Sequence, residues 1–288
     1  MAKFVFSAFA DEIASDFDQQ IASLKKLGIG LLELRGVDGK SFVDLSDSRI
    51  ITVKNKLSDA GISLSALGSP LGKTDADCDM NAQTGLLMRL MDIGDELGCK
   101  RIRMFSYYKP LNMSKEDFKS RVFDNIERLL ELSENRGFVL CHENEKDIFG
   151  WNVKNELELL DHFGGRLKAV LDPGNFAFCR TDASTAYPTL KDHIEYFHIK
   201  DADETGAIVP PGKGVACLEE IIRSVAEDRP EKEVILTMEP HLMNFTGLSS
   251  LSKLDDIRHK YTFETPFAAF EFAYSAVKEM VDRIESDQ

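Results

Sequence analysis

The sequence is short of several things. There is one Trp in 288 residues, and the five cysteines, Cys78, Cys99, Cys141, Cys179 and Cys217, contain no C-x-x-C pair. An odd set of widely spaced cysteines excludes a disulfide scaffold, and reduced thiols in the cytoplasm are expected. No run approaches the ~18 apolar residues of a membrane span. The apolar stretch near the start is too short for a signal-peptide core, and Asp11 and Glu12 follow it, so no secretion signal is expected. No Gly-x-Gly-x-x-Gly opens the first helical pattern and no Walker sequence occurs, which leaves a nucleotide-binding sheet without support. Positive charge is also scarce. Lys+Arg number 35 against 49 Asp+Glu, a net charge of −14. Nucleic acid and anionic membrane both need clustered Lys/Arg, so neither is an expected partner.

What is present is ordinary globular composition, 43 % hydrophobic and 29 % charged, in a chain long enough to bury a sizeable core. Short apolar runs alternate with amphipathic stretches. The strand candidates are 3–8, 31–35, 63–67, 101–105, 138–142, 167–171, 195–199 and 233–238. Between them lie helical patterns. One begins at Ser15 with Asp18 three residues on, a second at Ser114 with Asp117, and the last at Thr265-Pro266. Runs such as Leu-Lys-Ala-Val-Leu are apolar on both sides of the pleat, as in parallel strands covered on both faces. Eight strands and eight helices at intervals of about 30 residues have the rhythm of a (β/α)8 TIM barrel. No Ser/Gly/Pro linker divides the chain, so residues 1–288 are read as one α/β domain.

A barrel carries its chemistry at the carboxyl ends of its strands. Here four consecutive strands end in Glu143, Asp172, His198 and Glu239. Taken singly, each is an ordinary strand-end residue, and Asp172 before Pro-Gly is common turn chemistry. Jointly they put three carboxylates and an imidazole at one point. Without a cation the carboxylates repel and at least one stays protonated. Three oxygens and one nitrogen suit one divalent metal ion, Mn²⁺ first, with Mg²⁺, Co²⁺ or Zn²⁺ as alternatives.

These pieces, with Asn144, Pro173-Gly174-Asn175, Lys200-Asp201 and Pro240, resemble the xylose-isomerase-like TIM barrels, the sugar phosphate isomerase/epimerase superfamily. The resemblance is most specific between Glu143 and Glu239. It implies a metal bound by Glu143, Asp172, His198 and Glu239, with the two glutamates also acting as acid and base beside a metal-polarised carbonyl. It also implies a small-molecule carbohydrate as substrate, and a homodimer or homotetramer is compatible with it. Asp201 is the candidate to orient His198 or a ligand water. Ketose 3-epimerases carry His, Arg and Glu where this chain has Asn175, Glu204 and Phe149, which argues against a free ketohexose. The implied function is isomerisation or epimerisation of a sugar, sugar phosphate or keto-polyol. The alternatives are a lyase or dehydratase using the same enediolate, inosose dehydratase-like or cleaving a sugar conjugate, and a barrel that only binds carbohydrate.

Substrate contacts are sought in the loops. Lys200 and Pro210-Pro211-Gly212-Lys213-Gly214 offer a phosphate cradle after the seventh strand. His241 follows Glu239 and opens a loop of about 25 residues, long enough for a lid. Asn175, Glu145 and Trp151 complete the substrate-binding candidates. Glu33 and Arg35 reach the same rim, and Asp11 and Glu12 read as caps of the first helix.

Overall fold

The computed structural model describes residues 2–243 and 261–287. Eight strands form the central layer: β1 Lys3–Ala8, β2 Leu31–Leu34, β3 Ser63–Gly68, β4 Arg101–Met104, β5 Val139–Glu143, β6 Lys168–Leu171, β7 Ile194–Ile199 and β8 Glu233–Met238. They hydrogen-bond in the order β1-β8-β7-β6-β5-β4-β3-β2, every pair parallel. β1 and β8 share a ladder from Lys3↔Glu233 to Ala8↔Met238. β1 and β2 lie side by side without a ladder, so the ring is nearly closed. This is the expected (β/α)8 TIM barrel.

Helices cover the outside: α1 Phe17–Leu27, α2 Asp47–Ala60, α3 Met80–Leu97, α4 Lys115–Glu134, α5 Val153–His162, the short α6 Pro173–Phe178 and α7 Ala186–Leu190, then α8 Leu218–Asp228 and α9 Pro266–Ser286. α8 shows why these segments are helical. It buries Leu218, Ile221, Ile222, Val225 and Ala226, the spacing of one helical face. Each large aliphatic side chain so buried contributes roughly 1.5–3 kcal/mol. The Ser114 hydroxyl accepts the Asp117 N–H and caps α4, and Thr265 caps α9 ahead of Pro266. The expected start of α1 needs correction. Its cap is Asp16, whose carboxylate accepts the Gln19 N–H, while the Ser15 carbonyl accepts from Gly39. No helix among the described residues is long and apolar enough to cross a membrane. Most of the loop between His241 and Thr265, with Phe245, Arg258 and Lys260, lies outside the described residues.

Strand alternation divides the barrel into two environments. Leu140, Leu171, Phe197, Leu236 and Met238 point outward into the main core beneath the helices. Ala66, Cys141, Val170, Tyr196 and Ile235 point inward and form an apolar floor with Val5, Leu31 and Val139.

Candidate metal centre

The site stands on that floor by simple parity. Two residues beyond Cys141, Val170 and Tyr196 come Glu143, Asp172 and His198, each turned inward one level higher. Glu239 lies four beyond Ile235 on the same side of β8. All four are buried. One ligand atom from each lies within 4.8 Å of those of the others.

The spacing suits one shared cation. His198 Nδ1 is 3.2 Å from Glu143 Oε1 and 3.2 Å from Glu239 Oε2. Two ligands at right angles on a cation ~2.1 Å away stand about 3 Å apart. Asp172 Oδ2, His198 Nδ1 and Glu239 Oε2 are buried and make no hydrogen bond of normal geometry. They are not without neighbours, since Lys200 Nζ lies 3.0 Å from Asp172 Oδ2 and the two glutamates 3.2 Å from His198 Nδ1, but donors that converge this closely suit a group shared between them. A hard or borderline divalent cation fits the donor set.

The remaining atoms of these residues are held from behind. Glu33, on β2, accepts from the Tyr196 hydroxyl at 2.9 Å, and its other oxygen lies 3.0 Å from His198 Nε2. That pairing leaves Nδ1 to face the centre. Arg103 donates to Glu143 Oε2 at 2.9 Å, and Arg35 donates to Glu239 Oε1 at 2.8 Å. Asn144 clasps the Asp172 backbone, accepting its N–H at 3.0 Å and donating to its carbonyl at 2.8 Å. Gly174 lets the start of α6 pass the strand-seven end, since a Cβ there would lie 2.4 Å from the Lys200 carbonyl oxygen.

Burial opposes every charge here, and the neighbours decide the outcome. For Glu143 burial raises the pKa, but His198 and Arg103 outweigh it and hold the carboxyl at about 2. For Glu239 burial also raises the pKa, yet Lys200, His241 and His198 hold it well below the usual range. Asp172 goes the other way, pushed up to about 7 by burial that Lys200 only partly offsets. Burial lowers the His198 pKa, but Glu33 and Glu143 raise it well above its ordinary value.

Residues 21–244 match the family described as xylose isomerase-like TIM barrel, AP_endonuc_2. The chain belongs to that family. No curated protein matches the sequence. Among solved structures, an L-ribulose 3-epimerase superposes with a TM-score of 0.75 at 15% identity, covering 100% of this chain and 97% of that one. The probable 3-DHS dehydratase AsbF of Bacillus anthracis gives 0.72 at 15% identity over 96% and 99%. The IOLI protein, solved with a zinc atom, gives 0.72 at 16% over 98% and 99%. At these identities the likeness is one of fold.

Within this xylose isomerase-like barrel, the other candidates from the sequence divide. Three reach the cluster. Lys200 Nζ lies 3.0 Å from Asp172 Oδ2 and 3.8 Å from Glu239 Oε2. His241 Nε2 lies 3.3 Å from Glu239 Oε1 and 3.3 Å from Glu12 Oε1, and burial and Lys200 lower its pKa to about 4. Asn175 reaches it too, but its amide is spent on protein, donating to Glu143 Oε1 at 3.2 Å and to the Asn144 carbonyl at 2.9 Å. It supports Glu143 and is not free for substrate. Glu145 stands at the rim, 3.2 Å from Lys73 Nζ.

Other expectations are corrected. Asp201 does not orient His198. Its carboxylate accepts the N–H groups of Ala202, Gly212, Gly214 and Ala216 and ties down the loop after β7. The same bonds consume the amides of the supposed phosphate cradle. Lys213 is exposed beside α9, away from the cluster. Trp151 is not beside the four donors: it is exposed and lines a separate cavity on the rim.

Asp11 and Glu12 are not caps of α1. They sit buried in the turn after β1, where Arg35 pairs with Asp11 at 2.9 Å and with Glu12 at 3.3 Å. Burial pushes Glu12 up to about 8, with Arg35 lowering it only in part. The roles of Glu33 and Arg103 were missed in the sequence. For Glu33 the signal was a charged residue at an inward position of an otherwise apolar strand, Leu-Leu-Glu-Leu; for Arg103 it was weaker, because Arg101 shares the same strand, Arg-Ile-Arg-Met.

Proposed function

We propose that this chain is a divalent-metal-dependent isomerase or epimerase acting on a sugar, sugar phosphate or related keto-polyol. One observation carries the reading: four consecutive strand ends deliver four buried donor atoms to within 4.8 Å of one another. Glu143, Asp172, His198 and Glu239 would hold the metal. When bound, it supplies Lewis-acid polarisation of a carbonyl and favours loss of the neighbouring proton. Glu143 and Glu239 then supply the proton chemistry. Arg103 and Arg35 each hold one carboxylate oxygen from behind, so each glutamate presents its other oxygen toward His198 from a different side. Held ionised, both carry no proton and can take one up, but as weak bases that need a substrate acidified by the metal; a carboxylate that has taken a proton becomes the acid that returns it. Lys200, as a buried ammonium, donates to carboxylate or substrate oxygen at the same point.

The solved neighbours support sugar isomerisation or epimerisation at the level of the family, through an L-ribulose 3-epimerase. A dehydratase among them keeps a second reading in view, elimination of water from the same enediolate. The test is proton exchange in D2O with a panel of keto-sugars and keto-inositols, after metal analysis of the purified protein. Exchange next to the carbonyl, lost in Glu143→Gln and Glu239→Gln, is the expected result. Water loss from the exchanging substrate decides for the dehydratase. Both variants keeping full metal content and activity would sink the site assignment.

A further inference from the structure

The protein carries a net charge of −14, yet one cavity on its rim is basic. It measures 1120 Å³ and is walled by Lys109, Lys115, Lys119, Lys146, Lys154 and Arg180 against only Glu116, Asp147 and Glu158. A two-to-one excess of cations, where the chain as a whole has more acids than bases, is a local inversion of the field. Such inversions concentrate anions.

Lys109, Lys119 and Arg180 also serve the fold, through the Pro110 and Met113 carbonyls, Glu158 and the Thr205 carbonyl, but Lys115 and Lys154 do not. Lys115 is the first residue of α4 and Lys154 the second of α5. Helix N-termini carry partial positive charge, so a lysine there is unfavourable. Neither lysine has an acidic partner among the described residues, whereas the neighbouring Lys119 is paired with Glu158. The cavity also has an apolar wall. Trp151, 42 % exposed, lines it together with Phe149 and Phe178. An exposed indole beside unpaired ammonium groups is a surface for a ligand with a flat or apolar body and a negative group.

Its position is equally informative. The wall comes from the loops that follow β4, β5, β6 and β7, and three of those strands end in Glu143, Asp172 and His198. Lys146 is three residues beyond Glu143, and Phe178 closes the helix that Asp172 caps. The cavity therefore opens on the same rim as the metal centre.

We propose that this cavity is an anion-binding site, taking a phosphate or carboxylate group whose attached body packs on Trp151. The anion is either the far end of a substrate held at the metal centre or a separate ligand. The binding claim is independent of the catalytic reading; only the choice of source rests on it.

Because Trp151 is the only Trp in the 288 residues, the Trp fluorescence of this chain reports on this cavity. Titration with phenyl phosphate should give a saturable change, while phenol, and sodium chloride at matched ionic strength, should not. Two exposed cations lost together in Lys115→Gln/Lys154→Gln should weaken binding about tenfold. Circular dichroism and Mn²⁺ binding of that variant should be unchanged. No saturable change, an equal response to sodium chloride, or unaltered affinity in the double variant overturns the proposal. For the source, a ketose and its terminal phosphate ester are compared as substrates. A lower KM for the ester that the double variant erases assigns the anion to the substrate. Equal KM values with the fluorescence change retained assign it to a separate ligand. If no member of the keto-sugar and keto-inositol panel exchanges a proton, the catalytic reading fails while the fluorescence result stands.

Discussion

Glu33 and His198 are paired at 3.0 Å in the interior of the barrel, both fully buried, with the Tyr196 hydroxyl on the second oxygen of Glu33. A carboxylate behind a metal-binding imidazole fixes both the ring and the tautomer, so that here Nδ1 faces the other three donors. Glu33→Gln should therefore keep the fold but weaken Mn²⁺ binding by about 10–100-fold. Calorimetric titration checks this. An unchanged affinity would mean that Glu33 is only a buried hydrogen-bond acceptor.

Metal should stabilise the folded chain. A ligand that binds only the native state adds about 2.7 kcal/mol at a hundred times its Kd. The melting temperature should rise with Mn²⁺ and fall back on adding EDTA. Asp172→Asn and His198→Ala should abolish the rise. A melting curve insensitive to every divalent ion tested would remove the case for a metal centre.

Metal binding should also release protons, because bound ligands must be deprotonated. His198 is held above its ordinary pKa and Asp172 sits at about 7. At pH 6, Mn²⁺ should displace about one to two protons, fewer at pH 8. The sign for stability follows. Asp172 and Glu12, raised by burial to about 7 and about 8, favour the folded state while protonated. Metal-free protein should lose that stabilisation as pH climbs from the unfolded carboxylate range through these values. Urea unfolding with and without Mn²⁺ across pH 4–9 measures it, and the metal should flatten the part due to Asp172.

Arg103 neutralises Glu143 with both groups buried, their side chains 3% and 2% exposed. Arg103→Leu leaves a buried carboxylate without its guanidinium and should cost about 3–5 kcal/mol. The urea midpoint is the readout. Replacing Glu143 by Leu in the same chain should recover part of the loss, since the uncompensated charge is gone.

Asp201→Ala should free the loop after β7 without touching the metal centre. Amide hydrogen exchange at Gly212, Gly214 and Ala216 should accelerate, because those N–H groups lose their common acceptor. Mn²⁺ affinity should hold. A large fall in affinity would restore Asp201 to the metal's surroundings.

The strands were legible because apolar runs and their turns are local, and all eight were placed to within a residue or so of their ends. The convergence of Glu143, Asp172, His198 and Glu239 was legible because a barrel converts strand ends into one ring of positions. Ser15 was mistaken for the cap of α1 because Ser15–Asp18 and Asp16–Gln19 fit the same spacing. What separates them is distant, the Gly39 N–H on the Ser15 carbonyl and the Asp38 carboxylate on the Phe17 N–H. Lys213 and Trp151 were misplaced for a related reason: spacing gives the rim on which a loop sits, not the direction it turns. Arg103 and Glu33 needed partners on strands far away in sequence.

β1 and β2 lie side by side without a backbone ladder, yet their ends are joined at the rim. Arg35 beyond β2 grips Asp11 and Glu12 beyond β1, and its remaining nitrogen reaches Glu239 at the end of β8. The ring is thus latched by a guanidinium where it is not sewn by peptide groups. That latch shares its hand with a residue of the proposed chemistry. A motion that parts the first two strands would pull on the guanidinium that also holds Glu239, which couples the seam of the barrel to the site.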